Sequence, residues 1–207
     1  MKVFDISWPI TQDMTAYKDK QVVNIEQAKT FETDKVRETI FTISSHTGTH
    51  IDAPAHFMQD GVTIDQIHPF YCVGAALVID MTHVNECIDQ KDLEAVKIDP
   101  HMIVLFKTKN SAHGPTDPFD YNFVYVNASA AEYLVKQSIR SVGIDYLGIE
   151  RNQPDHETHK AFMKHTIPII EGLRLAHVQA GSYVLWCLPL RMPGLDGAPA
   201  RALLIEQ

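Results

Sequence analysis

A mixed-sheet α/β domain is what this chain of 207 residues spells out, on three observations. Many short runs of β-branched, apolar or alternating residues read as strands, and they crowd the first half of the chain. Later, strands alternate with segments that carry helical signals. The length suits a single unit spanning residues 1–207 around one core, with little room for two.

The strand signals come first in "KVFDIS" (2–7), "VVNIEQ" (22–27) and "RETIFTIS" (37–44), the last alternating like a half-buried strand. They continue in "AALVIDM" (75–81), "MIVLFKT" (102–108), "FVYVN" (123–127), "SVGID" (141–145), "YVLWCLPL" (183–190) and "ARALLIE" (200–206). A helix is predicted over "DQKDLEAVK" (89–97), where Asp89 is the N-cap and Asp92 lies three residues on. The alanine-rich "ASAAEYLVKQS" (128–138) reads as a second, with Leu134 and Val135 on one face. A third covers "HETHKAFMKH" (156–165) and ends before Pro168. Gly, Pro, Asp and Ser make "TKNSAHGPTDPFD" and "RMPGLDGAP" loops.

Charge narrows the partners. Asp and Glu number 26 against 18 Lys and Arg, a formal net charge of −8, which opposes nonspecific attraction to nucleic acid or an anionic membrane. The expected partner is a small molecule. "MKVFDISWPI" holds no apolar run of secretory length and no stretch reaches the roughly 18 apolar residues of a membrane span, so a cytoplasmic location is expected. Cys72, Cys87 and Cys187 are odd in number and far apart, and two sit in apolar surroundings, which reads as free, largely buried thiols.

Chemistry concentrates in "HTGTHIDAPAHF". Within eleven positions it holds His46, His50, His56 and Asp52: imidazole nitrogens plus a carboxylate able to bridge two cations. The spacing of His46 and His50 matches a helical turn, but Thr47, Gly48 and Thr49 between them are poor helix formers. A strand-to-turn setting fits better, because His50 and Asp52 are two apart and project to one side of extended backbone. Gly48 and Pro54 then shape the turn that brings His56 toward the same point. Single histidines usually just hydrogen-bond in polar turns; four such groups in one short segment read as a metal-ligand set.

This segment resembles the signature of the cyclase family of metal-dependent hydrolases, which includes bacterial kynurenine formamidase and isatin hydrolase: His, three residues, then His-x-Asp-x-Pro-x-His-Phe. The resemblance extends to "HKAFMKHTIPIIEGL", where a histidine precedes a glutamate by twelve residues, and to "LPLRMPGLDGAPARALLIE". It implies a single swivelling β/β/α domain assembled as a homodimer or homotetramer. It also implies two divalent metal ions, zinc or manganese: one held by His46, His50 and Asp52, the other by Asp52, His159 and Glu171. His56 is by resemblance the catalytic acid/base, and Tyr17 and Phe57 border the substrate. His156, three residues before His159, is the rival ligand, but only His159 keeps the family's distance to Glu171.

The implied activity is hydrolysis of a carbon–nitrogen bond outside peptides, most like an arylformamidase converting N-formylkynurenine to kynurenine plus formate. Lactam hydrolysis of the isatin type, a cyclase or dehydratase reaction, and metal binding without turnover are the alternatives. Three protein ligands per ion and no cysteine favour an open, catalytic site over a structural one. Two departures from the family bear on the substrate. "DMTAYKDKQ" keeps Tyr17 but lacks a Pro-Gly turn, and "GIDYLGIE" has Gly148 and Glu150 where serine and aspartate are usual. Phe57, Phe70 and Tyr71 are candidate aromatic contacts for a ring.

Overall fold

The computed structural model of the chain describes residues 1–206. It begins with β1 (Lys2–Asp5), then an arm of β2 (Asn24–Lys29), a single turn α1 (Phe31–Asp34) and β3 (Glu38–Thr42). Next come β4 (His50–Asp52), β5 (Val73–Asp80), the short β6 (Cys87–Ile88), α2 (Gln90–Leu93) and β7 (Ile103–Lys107). The second half runs β8 (Tyr125–Val126), α3 (Ala128–Lys136), β9 (Ser141–Ile144), α4 (Glu157–Met163), β10 (Ile169–Glu171), β11 (Gly181–Pro189) and β12 (Gly197–Glu206).

The main sheet has eight strands in the order β1-β12-β11-β5-β7-β9-β10-β4. Strands β5, β7, β9 and β10 are parallel, and the others pair antiparallel, so the sheet is mixed. β4 also pairs with β12, and the sheet therefore curls until its two sides meet at β4. That closure, more than any helix, positions the site.

Parallel strands need crossovers, and α3 and α4 supply them between β7, β9 and β10. "IVLF" in β7 is buried at every position because it is covered on both faces. Val104 and Phe106 face α3 and α4 with Leu134 and Phe162. Ile103 and Leu105 face the sheet's own interior with Ile51, Leu185 and Leu204. Asn127 caps α3 by accepting from the backbone N–H of Ala130 at 3.1 Å. Asp89 caps α2, and the reciprocal bond from Asp89 N–H to Asp92 is 2.9 Å. The helix stops at Leu93, much shorter than the 89–97 pattern suggests; the segment that follows packs Val96 and Ile98 onto the core as a turn.

The arm departs from expectation. β3 is exposed along its whole length, as is β2, because these strands pair only with each other and no layer covers either face. The alternation of "RETIFTIS" is that of a projecting ribbon, not of a half-buried strand. The three cysteines are free, with Cys72 and Cys187 buried, and burial pushes the Cys72 thiol up to about 12. No helix among the described residues is long and apolar enough to cross a membrane.

Candidate metal centre

Register decides the site. β4 lies between β10 and β12, and its pairing sets Glu171 opposite His50 and Gly197 opposite Asp52. Side chains directly opposite one another stand about 4.5–5.5 Å apart at Cβ, so a carboxylate far along the chain arrives beside the "HID" triplet. Both flanking turns require glycine. Gly48 has φ of +61°, and Gly172 has φ of +70° with its missing Cβ directed onto the Gly48 carbonyl. Thr49 joins the two turns: its hydroxyl donates to the Gly172 carbonyl at 2.5 Å and accepts from Trp8 N–H at 2.7 Å.

His50 is fully enclosed. The Gly48 carbonyl, 2.9 Å from its Nδ1, can only accept, so Nδ1 carries a proton and, in the neutral ring that a metal requires, Nε2 presents the lone pair. That Nε2 is buried and makes no hydrogen bond. It stands 3.3 Å from Asp52 Oδ1 and 3.5 Å from Glu171 Oε2. Tetrahedral ligands at 2.0–2.1 Å from one ion are separated by about 3.3 Å, so the spacing fits a shared cation better than direct bonding. On the other side of the same carboxylates, His159 Nε2 lies 3.7 Å from Asp52 Oδ2 and 3.5 Å from Glu171 Oε1. Asp52 and Glu171 thus each face both imidazoles with opposite oxygens.

His46 is not on β4 but in the turn before it. Its Nδ1 is 2.7 Å from Asp52 Oδ1 and its Nε2 is 2.8 Å from Asp196 Oδ2. His56 sits in a 3₁₀ turn started by Pro54, with its ring 4.0 Å from that of His46 and its Nδ1 3.4 Å from Asp196. The ligand atoms of His46, Asp52 and His56 form one tight group, and those of His50, Asp52 and Glu171 form another, with Asp52 common to both. Structure therefore brings His46, His50, Asp52, His56, His159 and Glu171 together, while pairing His50 with Glu171 more closely than with His46.

Two further carboxylates join the site that the sequence reading does not assign to it, although both lie in segments that carry the family resemblance. Asp196 closes over His46 and His56 from the loop before β12. Glu150 accepts from the backbone N–H of His159 at 3.1 Å, lies 3.1 Å from His159 Nδ1, and is hydrogen-bonded to His156 Nδ1. It serves α4 as a cap from outside the helix, because His156 at the N-cap makes no side-chain bond of that kind. Their sequence signals are their places in those segments: Asp196 in the Gly- and Pro-rich "RMPGLDGAP", Glu150 at the end of "GIDYLGIE", where the family usually has aspartate. Asp145, by contrast, is no part of the site. It accepts from Thr108 N–H, the Thr108 hydroxyl and the Ser111 hydroxyl, and burial lifts it to about 6.

A cavity of about 930 Å³ opens over the cluster. Tyr17 and Phe57 both line it, and the Phe57 ring lies 4.3 Å from that of His159. Phe70 and Tyr71 do not border it; Phe70 packs under the Arg140 guanidinium instead. Phe119, Tyr121 and Phe123 take their place, because the long loop after β7 folds back to the N-terminal segment through Trp8 and Thr15.

Charge separates the histidines. Burial alone would depress His50, but Asp52 and Glu171 outweigh it and lift it to about 10. His46 and His159 are raised on the same balance. Asp52 is held well below the usual range and Glu171 at about 2, their imidazole partners overcoming burial. His56 alone is lowered, by burial first. Metal-free protein should therefore be most stable between about pH 4.5 and 6.5. Glu171 contributes above its ordinary 4.5 and loses that as pH falls toward 2, whereas His50 contributes below 6.5 and loses that as pH rises toward 10. Chemical denaturation across pH with chelator present should show midpoints falling on both sides. Bound metal opposes the alkaline decline, since ligand imidazoles must be neutral.

Gly197 gives His46 its room. A Cβ there would stand 2.9 Å from His46 Cε1 and 2.9 Å from the Ile51 carbonyl. Gly197→Ala should weaken metal affinity by about 10- to 100-fold in chelator competition, with the circular dichroism spectrum unchanged.

Fold and site define a class: a mixed α/β protein with a histidine–carboxylate cluster that binds a divalent metal beneath an open cavity. The family model described as "Putative cyclase" matches residues 4–151, and the chain belongs to the cyclase family. Kynurenine formamidase of Bacillus cereus is 32% identical over 97% of this chain and 95% of its own. A predicted metal-dependent hydrolase from Bacillus stearothermophilus superposes with a TM-score of 0.87 at 42% identity, covering 98% of this chain and 97% of that one. Isatin hydrolase A from Ralstonia solanacearum, at 22% identity, shares the fold with a TM-score of 0.86 over 99% and 92% of the two chains.

Proposed function

We propose that the protein is a metal-dependent hydrolase of small aryl amides, of the arylformamidase type, releasing formate from N-formylkynurenine or a close relative. The observation that carries this reading is the buried, unbonded His50 Nε2 aimed between two carboxylates beneath an aromatic-lined cavity. The full-length likeness to kynurenine formamidases supports the choice of bond.

His46, His50 and Asp52 would hold one divalent ion and Asp52, His159 and Glu171 a second; the nitrogen and oxygen donors, without cysteine, suit zinc or manganese. A metal bound there supplies Lewis acidity, polarising the carbonyl and making water a stronger acid. Water then adds its oxygen to the formyl carbon, the C–N bond breaks, and the amine departs with a proton. His56 moves that proton. Asp196 Oδ2 lies 3.4 Å from its Nδ1, and the imidazole takes a proton from water and returns it to the leaving nitrogen. Phe57 packs against His159, its ring tilted 35° to the imidazole, and limits how far that imidazole can turn.

Ring closure remains the competing reading, because a solved structure 42% identical over 98% of this chain is described as a potential metal-dependent hydrolase with cyclase activity. Purified protein reconstituted separately with zinc and manganese should release formate from N-formylkynurenine faster than it opens isatin or a simple lactone. Turnover of isatin or lactone alone would replace the proposal. Self-association as a homodimer or homotetramer belongs to the same reading and is supported by the exposed Phe31, Ile40 and Phe41 of the arm; sedimentation would test it.

A further inference from the structure

We propose that Glu150, His156 and His159 form a further divalent-cation site, separate from the pair of ions proposed above, which takes zinc when the metal is in excess and then slows turnover. It goes beyond the hydrolase reading and rests on it only in giving the other nitrogen of His159, Nε2, to the catalytic pair.

Three donors converge on one point. Glu150, His156 and His159 each offer a ligand atom, and these atoms all lie within 4.8 Å of one another. Glu150 Oε2 is anchored by the backbone N–H of His159 at 3.1 Å, which leaves Oε1 for the rings. Oε1 is hydrogen-bonded to His156 Nδ1 and stands 3.1 Å from His159 Nδ1. Tetrahedral ligands of one zinc ion are separated by about 3.3 Å, so the second spacing already suits a shared ion. The first needs only a small swing of His156, whose side chain is half exposed.

His159 Nδ1 itself points to a ligand. The residue is 6% exposed, yet its Nδ1 makes no hydrogen bond, because Oε1 lies at a suitable distance but out of line. A buried ring nitrogen without a partner costs free energy, and an ion held between it, Glu150 and His156 removes that cost. All three residues line the cavity, so an ion can enter from solvent and water can complete its coordination.

The needs of α4 do not explain His156. It stands at the N-cap in left-handed backbone, with φ of 54°, where asparagine would serve better, and its side chain caps nothing. No other cation fills the place. Among the described residues the ion pairs of Glu150 are those with the two histidines, and Arg151, next in the chain, lies over Phe123 and Tyr125 at 5.9 and 5.1 Å. Phe57 packs against both imidazoles, 4.6 Å from His156 and 4.3 Å from His159, and limits their movement away from Glu150.

Filling the site has a cost for the reaction. When Nδ1 takes the ion its proton passes to water, and the His159 ring is then drawn toward Glu150 as well as toward Asp52 and Glu171. The ion also stands in the cavity that substrate must enter.

Zinc content is the test, read by elemental analysis after equilibrium dialysis of the full chain against buffered zinc. The unaltered protein should hold one equivalent more than His156→Asn, which keeps a residue suited to a left-handed N-cap and loses the imidazole. Glu150→Gln, which can still accept from His159 N–H, should lose the same equivalent. Formate release by the unaltered protein should fall once zinc exceeds the amount giving the highest rate. His156→Asn should need about a hundredfold more zinc for the same fall, the upper end of what losing even an indirect metal contact costs. Equal zinc content in the unaltered protein and His156→Asn overturns the site, and two equivalents in both would remove it while leaving the catalytic pair. A difference of one equivalent with two left in the variant supports both readings; the same difference with fewer than two left keeps this site and removes the two-ion reading.

Discussion

Asp52→Ala should leave the protein with no measurable bound metal and no measurable formamide hydrolysis. Asp52 is the one carboxylate that faces His46, His50 and His159 together, at 2.7, 3.3 and 3.7 Å. Its removal takes a ligand from each proposed ion at once. It also strands buried imidazoles that this carboxylate holds in the charged form, so metal-free Asp52→Ala should be destabilised by about 3–5 kcal/mol near pH 6. Asp52→Asn, which keeps the shape and loses the charge, should fail to bind metal in the same way. Elemental analysis and denaturant titration read the two effects separately. Wild-type metal content in either variant would remove the shared carboxylate from the mechanism.

His56→Ala should do the opposite: metal content stays near wild type while kcat falls by roughly a hundredfold or more. The contrast has a physical source. His46 is held on both ring nitrogens, by Asp52 and Asp196, and does not depend on its neighbour for position. His56 is the one imidazole of the cluster whose pKa lies below the ordinary value, so near neutral pH it is free to accept a proton. Equal loss of metal from the Asp52 and His56 variants would make His56 a ligand and leave the proton transfer without a carrier.

Much of the fold is legible in the chain because local pattern and final environment agree. β7 reads as a strand and is one, buried along "IVLF"; α3 begins where Asn127 can cap it. The arm misleads because alternation records the pleat of a strand, not what lies against each face. β4 itself is hidden for a related reason. Only three residues long, His50–Asp52 has no period to detect and becomes a strand through its neighbours β10 and β12.

The ligand-rich segment announces the site from sequence, because imidazoles and a carboxylate seldom crowd into so few positions without a cation to share, and the family resemblance carries His159 and Glu171 with it. Tertiary structure alone decides that Glu171 faces His50, that Asp196 and Glu150 brace the imidazoles, and that Phe119 and Phe123 stand where Phe70 and Tyr71 are expected. Glu150 aside, which stands six and nine residues from the imidazoles it braces, those relations depend on strand register and loop closure across more than a hundred residues, and no local pattern encodes a distance of that kind.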